Sequence, residues 1–433
     1  MRRLSFHAQL AVVAVVGFAF RVGYAAVVFG DKGPQADGLY YAAQAEMIAD
    51  GHWFEHPFQL GTEAADHPPL NSLVLSVPAW LWRGNFMAMR VTLCLVGTLT
   101  IVLVGVLGRL VARRAGALYA DRVGLIAAVL ATVYANLWMN DVIMMAEAVT
   151  AACLAGALVA AYLLIESPST HRAAVLGGLI ALSALARAEI VVLGLLIAVP
   201  AILVGSRDWR GRLGQAAACA GAALLVLAPW VGYNLSRFDR PTYLSSGEGH
   251  VVAGANCPST YHGRAIGFWS YGCAFEEPEA PVDVDQSELS AWYGARGAAY
   301  RSDHLGRLPV VVGARLARAW SIGWVDEMAN VNSYEGRPVW ASKLGVASFW
   351  ALVPVAIGGA VAARRRDLVV WPLLMLPLLA SGIAAWYYGI VRFRLPAEFT
   401  LVVLAAIGIA VLWDRIRAGI PGHRTDDERV TGS

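Results

Sequence analysis

The sequence predicts an all-α polytopic membrane protein. Three observations predict it. Of 433 residues, 58% are hydrophobic and only 15% are charged; a soluble domain carries about 25% charged residues. The mean hydropathy is +0.55. Apolar runs of about 17–25 residues, long enough to cross a bilayer, recur along the chain with arginines at their ends. Those arginines are dispersed as loop charges and form no nucleic-acid patch, and the net charge of +3 says little about partners.

The apolar runs place ten spans: Ala8–Phe29, Phe86–Val111, Val123–Met139, Val142–Ile165, Ala173–Ala186, Ile190–Gly205, Leu213–Tyr233, Leu344–Ala363, Leu368–Tyr387 and Phe399–Trp413. The first is too long for a signal-peptide core and no small-residue cleavage site follows, so it is read as an uncleaved span. The apolar piece Pro69–Trp82 is short and holds Pro78, so it lies in the interface or dips in and returns. On that condition one orientation puts every strong basic turn inside: Arg2-Arg3, Arg109/Arg113/Arg114/Arg122, His171-Arg172, Arg207/Arg210/Arg212, Arg364-Arg365-Arg366 and Arg415/Arg417/Arg424.

This divides the chain into an N-terminal transmembrane module (1–233, first outer loop 31–83), an extracytoplasmic segment (234–342), C-terminal transmembrane helices (343–414) and a cytoplasmic tail (415–433). The tail sequence GHRTDDERVTGS reads as disordered. Cys257 and Cys273 lie together in the polar outer segment, where an oxidising compartment allows a disulfide; two free thiols are the alternative. Glycine pairs such as Gly177-Gly178 and Gly358-Gly359 allow close helix packing in lipid.

Charges inside or at the rim of a membrane are costly and mark functional candidates. Asp37 stands where a helical pattern (Leu39, Tyr40, Ala43, Met47) begins beyond the first span, as a helix N-cap, a reactive carboxylate or both. Glu147 falls about two turns into an expected span, and needs a partner, a cavity or a proton. Arg187 and Glu189 make either a turn charge pair or part of an outer site. Arg392 and Arg394 lie outside, against the positive-inside trend. They bind an anion such as phosphate through guanidinium forks, or they pair with carboxylates such as Glu398 and Asp37. His52, His56 and His67 match no standard zinc spacing. There is no P-loop, GxSxG, HExxH or dinucleotide fingerprint.

Together, Asp37-x-x-Tyr40-Tyr41 after the first span, a loop closing on His67-Pro68-Pro69-Leu70, Glu147 in a later outward-facing helix and Arg392-Phe393-Arg394-Leu395-Pro396 near the last span resemble the type C glycosyltransferases. The resemblance is to the protein O-mannosyltransferase and aminoarabinose transferase superfamily, especially bacterial family 39-like members. It covers nearly the whole chain through short, degenerate motifs. Two departures stand out. A lysine precedes the Pro-Pro pair in the aminoarabinose branch, where His67 stands here, and Asp37 is followed by Gly38 where many members have a second acid.

The resemblance implies a GT-C-type helical bundle with juxtamembrane helices in the first outer loop. It implies a multi-pass enzyme of the inner (plasma) membrane with its active site outside. The donor would be a polyprenyl-phosphate sugar held beside membrane lipid, and the acceptor a hydroxyl of a protein, lipid or glycan. Asp37 and Glu147 would be the catalytic carboxylates, Asp37 as general base for an inverting transfer. Tyr40, His67, Arg187, Arg392 and Arg394 would bind substrate. No nucleotide cofactor is needed, and metal dependence stays open. A secondary transporter and a non-catalytic envelope scaffold are the rival classes; inverted repeats and broken helices, the usual transporter signs, are not evident in the sequence.

Overall fold

The first span is helix α1 (Phe6–Tyr24), whose N-terminal Ser5 hydroxyl accepts the Ala8 amide. A wider turn carries it to Phe29, and Gly30 ends it at a positive φ of 51°. This is a computed structural model; it describes residues 4–418 except 31, 207, 277–280 and 282. Arg2, Arg3, Arg207, Arg424 and the GHRTDDERVTGS tail therefore lie outside the described residues.

The first loop folds as helix α2 (Asp37–Ala49), a small antiparallel hairpin (β1, Glu55–His56; β2, Gln59–Glu63) and helix α3 (Leu70–Leu81). Helix α3 has 12 residues. At 1.5 Å per residue that is about 18 Å, short of the roughly 30 Å hydrocarbon core. Next come α4 (Phe86–Ala112), capped by the Asn85 side chain, and α5 (Ala117–Val133).

Here the expected boundaries need correcting. Rather than running to Met139, α5 stops at Val133; Tyr134 is extended, a short α6 (Ala135–Trp138) follows, and the axis bends by 59°. The next span, α7 (Glu147–Glu166), starts at Glu147 rather than Val142. The cause lies in three buried polar residues. Asn136 donates to the Tyr134 hydroxyl and the Gly345 carbonyl, Asn140 donates to the Asn136 carbonyl, and Asp141 pairs with Arg21 at 2.6 Å. Backbone left out of a helix at membrane depth is tolerated only inside protein, where this stretch is buried throughout.

The chain continues through α8 (Thr170–Ala186) and a segment of tight and wide turns ending in α9 (Val199–Gly205). Helix α10 (Trp209–Arg237) then leads to the polar segment. That segment holds α11 (Glu248–Ala255), α12 (Pro258–Tyr261), α13 (Gln286–Asp303), α14 (Leu308–Ala319) and α15 (Val325–Tyr334). A disulfide joins Cys257 to Cys273. Helices α16 (Val339–Arg365), α17 (Trp371–Trp386) and α18 (Leu395–Ala418) complete the chain.

Among the described residues seven helical segments are long and apolar enough to cross a membrane, and the bent α5–α6 pair makes an eighth. Helices α8 and α17 are apolar but shorter. With these two, ten segments match the ten expected spans in position, and α3 is a third shorter apolar helix. Two ion pairs and a hydrogen bond gather basic turns: Arg113 meets Glu166 at 2.8 Å, Arg122 meets Asp414, and Arg366 donates to the Tyr119 hydroxyl at 3.2 Å. These contacts join the turns around α4, α5, α7, α16 and α18 at one end of the bundle. Asp37, Glu147, Arg187 and Arg392 meet at the other end. The core runs through Ile101, Leu107, Leu158, Phe399 and Val402, all fully buried.

Candidate active site

Asp37 is the first helical residue of α2, not its cap; the capping position is Ala36, whose φ of 47° is uncommon for a residue with a side chain. The Asp37 carboxylate is thus free of backbone duty. It receives the Arg392 Nη1 at 3.1 Å. The same nitrogen lies 3.2 Å from Glu335, and Arg392 Nη2 donates to the Tyr388 hydroxyl. Glu335 pairs in turn with Arg337, which stands 3.6 Å from Glu147. Glu147 also pairs with Arg187 at 3.2 Å, and Arg187 with Glu189 at 2.7 Å.

The result is one chain of alternating charge: Asp37, Arg392, Glu335, Arg337, Glu147, Arg187, Glu189. It draws on α2, the turn before α18, the turn after α15, the start of α7 and the turn after α8. Glu147 is 1% exposed. As the first residue of α7 it stands at a helix N-terminus, where the backbone dipole favours a negative charge, and not two turns deep as expected. Burial pushes the Asp37 carboxyl up, but Arg392, His67 and Arg187 outweigh it and hold it below its ordinary value.

Asp37 opens into a cavity of about 620 Å³, a size suited to a small-molecule ligand. Tyr41, His67, Glu147, Arg187, Tyr387, Tyr388, Arg392 and Phe393 line its bundle side, and Arg240, Tyr243 and Glu248 its polar-segment side. His67 stacks on Tyr41 with ring centres 4.8 Å apart.

Asp37, His67, Glu147, Arg187 and Arg392 thus come together. Two expected ligands do not join them. Tyr40 turns its hydroxyl to Asp66 at 2.9 Å, and its neighbour Tyr41 lines the cavity instead. Arg394 is buried against the Phe349 ring and paired with Glu398 at 2.8 Å, away from the cavity. Of the two readings open for that arginine, the carboxylate pair is the one observed; alternate residues of a tight turn point apart, so Arg392 and Arg394 face different neighbours. Glu335, Arg337 and Tyr388 were missed. The first two sit in the polar segment, where a charge draws no notice; the signal available was Arg337-Pro338 directly before a span. Among the described residues, three carboxylates converge only at Asp239, Asp285 and Glu288, within the polar segment.

A helical bundle with seven or eight candidate spans, this first loop and this end-on cavity is a GT-C-type fold. No protein-family model and no curated protein matches the sequence. Solved structures match it in fold. The oligosaccharyltransferase of Archaeoglobus fulgidus in its apo form is 15% identical, with a TM-score of 0.53, over 95% of this chain and 51% of that one. Its AglB complex with an inhibitory peptide and a dolichol-phosphate is 13% identical, with a TM-score of 0.51, over 97% and 52%. ArnT from Cupriavidus metallidurans bound to undecaprenyl phosphate is 17% identical, with a TM-score of 0.44, over 93% and 77%. At such identities the likeness is one of fold. The chain spans about half the length of the oligosaccharyltransferases it matches.

Proposed function

We propose that this chain is a membrane glycosyltransferase. It moves a sugar from a polyprenyl-phosphate donor to a hydroxyl acceptor, with inversion, at the extracytoplasmic end of the bundle. The observation that carries the reading is the Asp37 carboxylate facing a large cavity and paired with the half-buried Arg392. The fold shared with an oligosaccharyltransferase that has been solved with a dolichol-phosphate and a peptide adds support.

Asp37 accepts the proton of the acceptor hydroxyl, and that oxygen forms a bond to the anomeric carbon. The bond from that carbon to the phosphate oxygen breaks, and its electron pair leaves with the phosphate. Arg392 offsets the added charge, as a preorganised cation does in a water-poor site. Arg187 and Arg337, with Glu147 between them, hold the walls in register. His67 flanks Asp37 from the Tyr41 side.

The test uses purified full-length protein in proteoliposomes with a labelled polyprenyl-phosphate mannose or arabinose and a panel of hydroxyl acceptors. Transfer or slow hydrolysis of the sugar is expected. Solute uptake without any sugar release would favour a transporter, and neither activity across the panel would favour a scaffold.

A further inference from the structure

A second, smaller cavity of about 200 Å³ is lined by Gly33, Pro34, Gln35 and Gly38, neighbours of the Asp37 that lines the main one. Arg90, near the start of α4, lines it and is 2% exposed. One nitrogen, Nη2, donates to the Lys32 carbonyl at 2.7 Å, and the guanidinium lies 5.0 Å from the Phe29 ring centre. Nε and Nη1 have no hydrogen-bond partner among the described residues, and no described carboxylate lies within 4.0 Å of this arginine. Holding the loop uses one of its donors. A buried cation with two idle donors is costly, and an oxyanion is what removes the cost.

Lys32 and Arg337 line the same cavity, so three cations border it. Glu335 is the opposing charge, but Arg337 and Arg392 already neutralise it. Phe29 brings the apolar end of the first span to the edge. Cationic donors beside such a rim suit the anionic head of an amphiphile. We infer that this cavity is an oxyanion site in which Arg90, with Lys32, binds a phosphate or carboxylate headgroup. Arg337 links it to the main cavity through Glu147. The inference rests on the transfer reading: such a headgroup belongs to the acceptor, with the donor's one phosphate beside Arg392, or it is the donor's, and the phosphate then leaves from here instead of beside Arg392.

The experiment reads binding, so it stands apart from whether sugar transfer occurs. Full-length protein in phosphatidylcholine nanodiscs is titrated with undecaprenyl phosphate, with undecaprenol as the uncharged control and inorganic phosphate in a second arm. If the donor supplies the anion, Arg90→Gln weakens undecaprenyl phosphate binding at least about 10-fold, spares undecaprenol, and Arg90→Lys restores part of the loss. If the acceptor supplies it, undecaprenyl phosphate binding is unchanged, but inorganic phosphate raises the thermal midpoint of the wild type and not of Arg90→Gln. A folded Arg90→Gln that answers both probes as the wild type does overturns the inference. Lys32→Gln, at an exposed position, carries the same comparison if Arg90→Gln fails to fold.

Discussion

Arg392 holds the Asp37 carboxylate at 3.1 Å, from the opposite end of the sequence. It is the largest of the attractions that keep the carboxyl below its ordinary value against the effect of burial. A carboxyl so held is ionised, and able to accept a proton, throughout the neutral range.

That pair predicts a pH dependence. A folded-state value below the unfolded value of about 3.9 places the acid limb of transfer below it. The same pair contributes stability above the unfolded value, lost as pH falls through the folded one. In Arg392→Gln the largest attraction is lost and the carboxyl rises. The acid limb of kcat/KM is expected to move up. A pH–rate profile of both proteins checks this; superimposable acid limbs would contradict it.

Glu147 is buried between Arg187 and Arg337. Glu147→Gln removes the carboxylate that two cations share while Glu189 and Glu335 still pair them, and is expected to cost about 1–3 kcal/mol. Asp37→Asn, at a side chain 37% exposed to the cavity, is expected to cost about 1 kcal/mol or less. Thermal or denaturant unfolding in detergent compares the two.

The paired glycines of α16 separate packing from composition. A Cβ on Gly359 would stand 1.8 Å from the Leu404 carbonyl of α18, whereas one on Gly358 would meet nothing within 4 Å. Gly359→Ala is expected to lose about 1–3 kcal/mol and Gly358→Ala to be neutral. Unfolding midpoints of the two variants decide it.

Much of the bundle was legible because span length and arginine position are read one residue at a time. The first loop as the carrier of Asp37 and His67 was legible for the same reason, being a cluster of charge beside a greasy run. The break at Tyr134 was not. NLWMNDVIMMAE passes for apolar helix until Asn136 and Asp141 find partners in α16 and α1, more than a hundred residues away in sequence. Hence Glu147 was placed too deep. Arg90 and Arg337 escaped for a related reason. Each sits at the mouth of a span, where an arginine usually meets water, and only the folded chain buries it.

The most direct test of the account is sugar transfer by Asp37→Asn, measured with a labelled polyprenyl-phosphate sugar beside wild-type protein of matched unfolding midpoint. The account predicts a fall of about 10²–10⁴-fold, with donor binding retained. Transfer at the wild-type rate would contradict it.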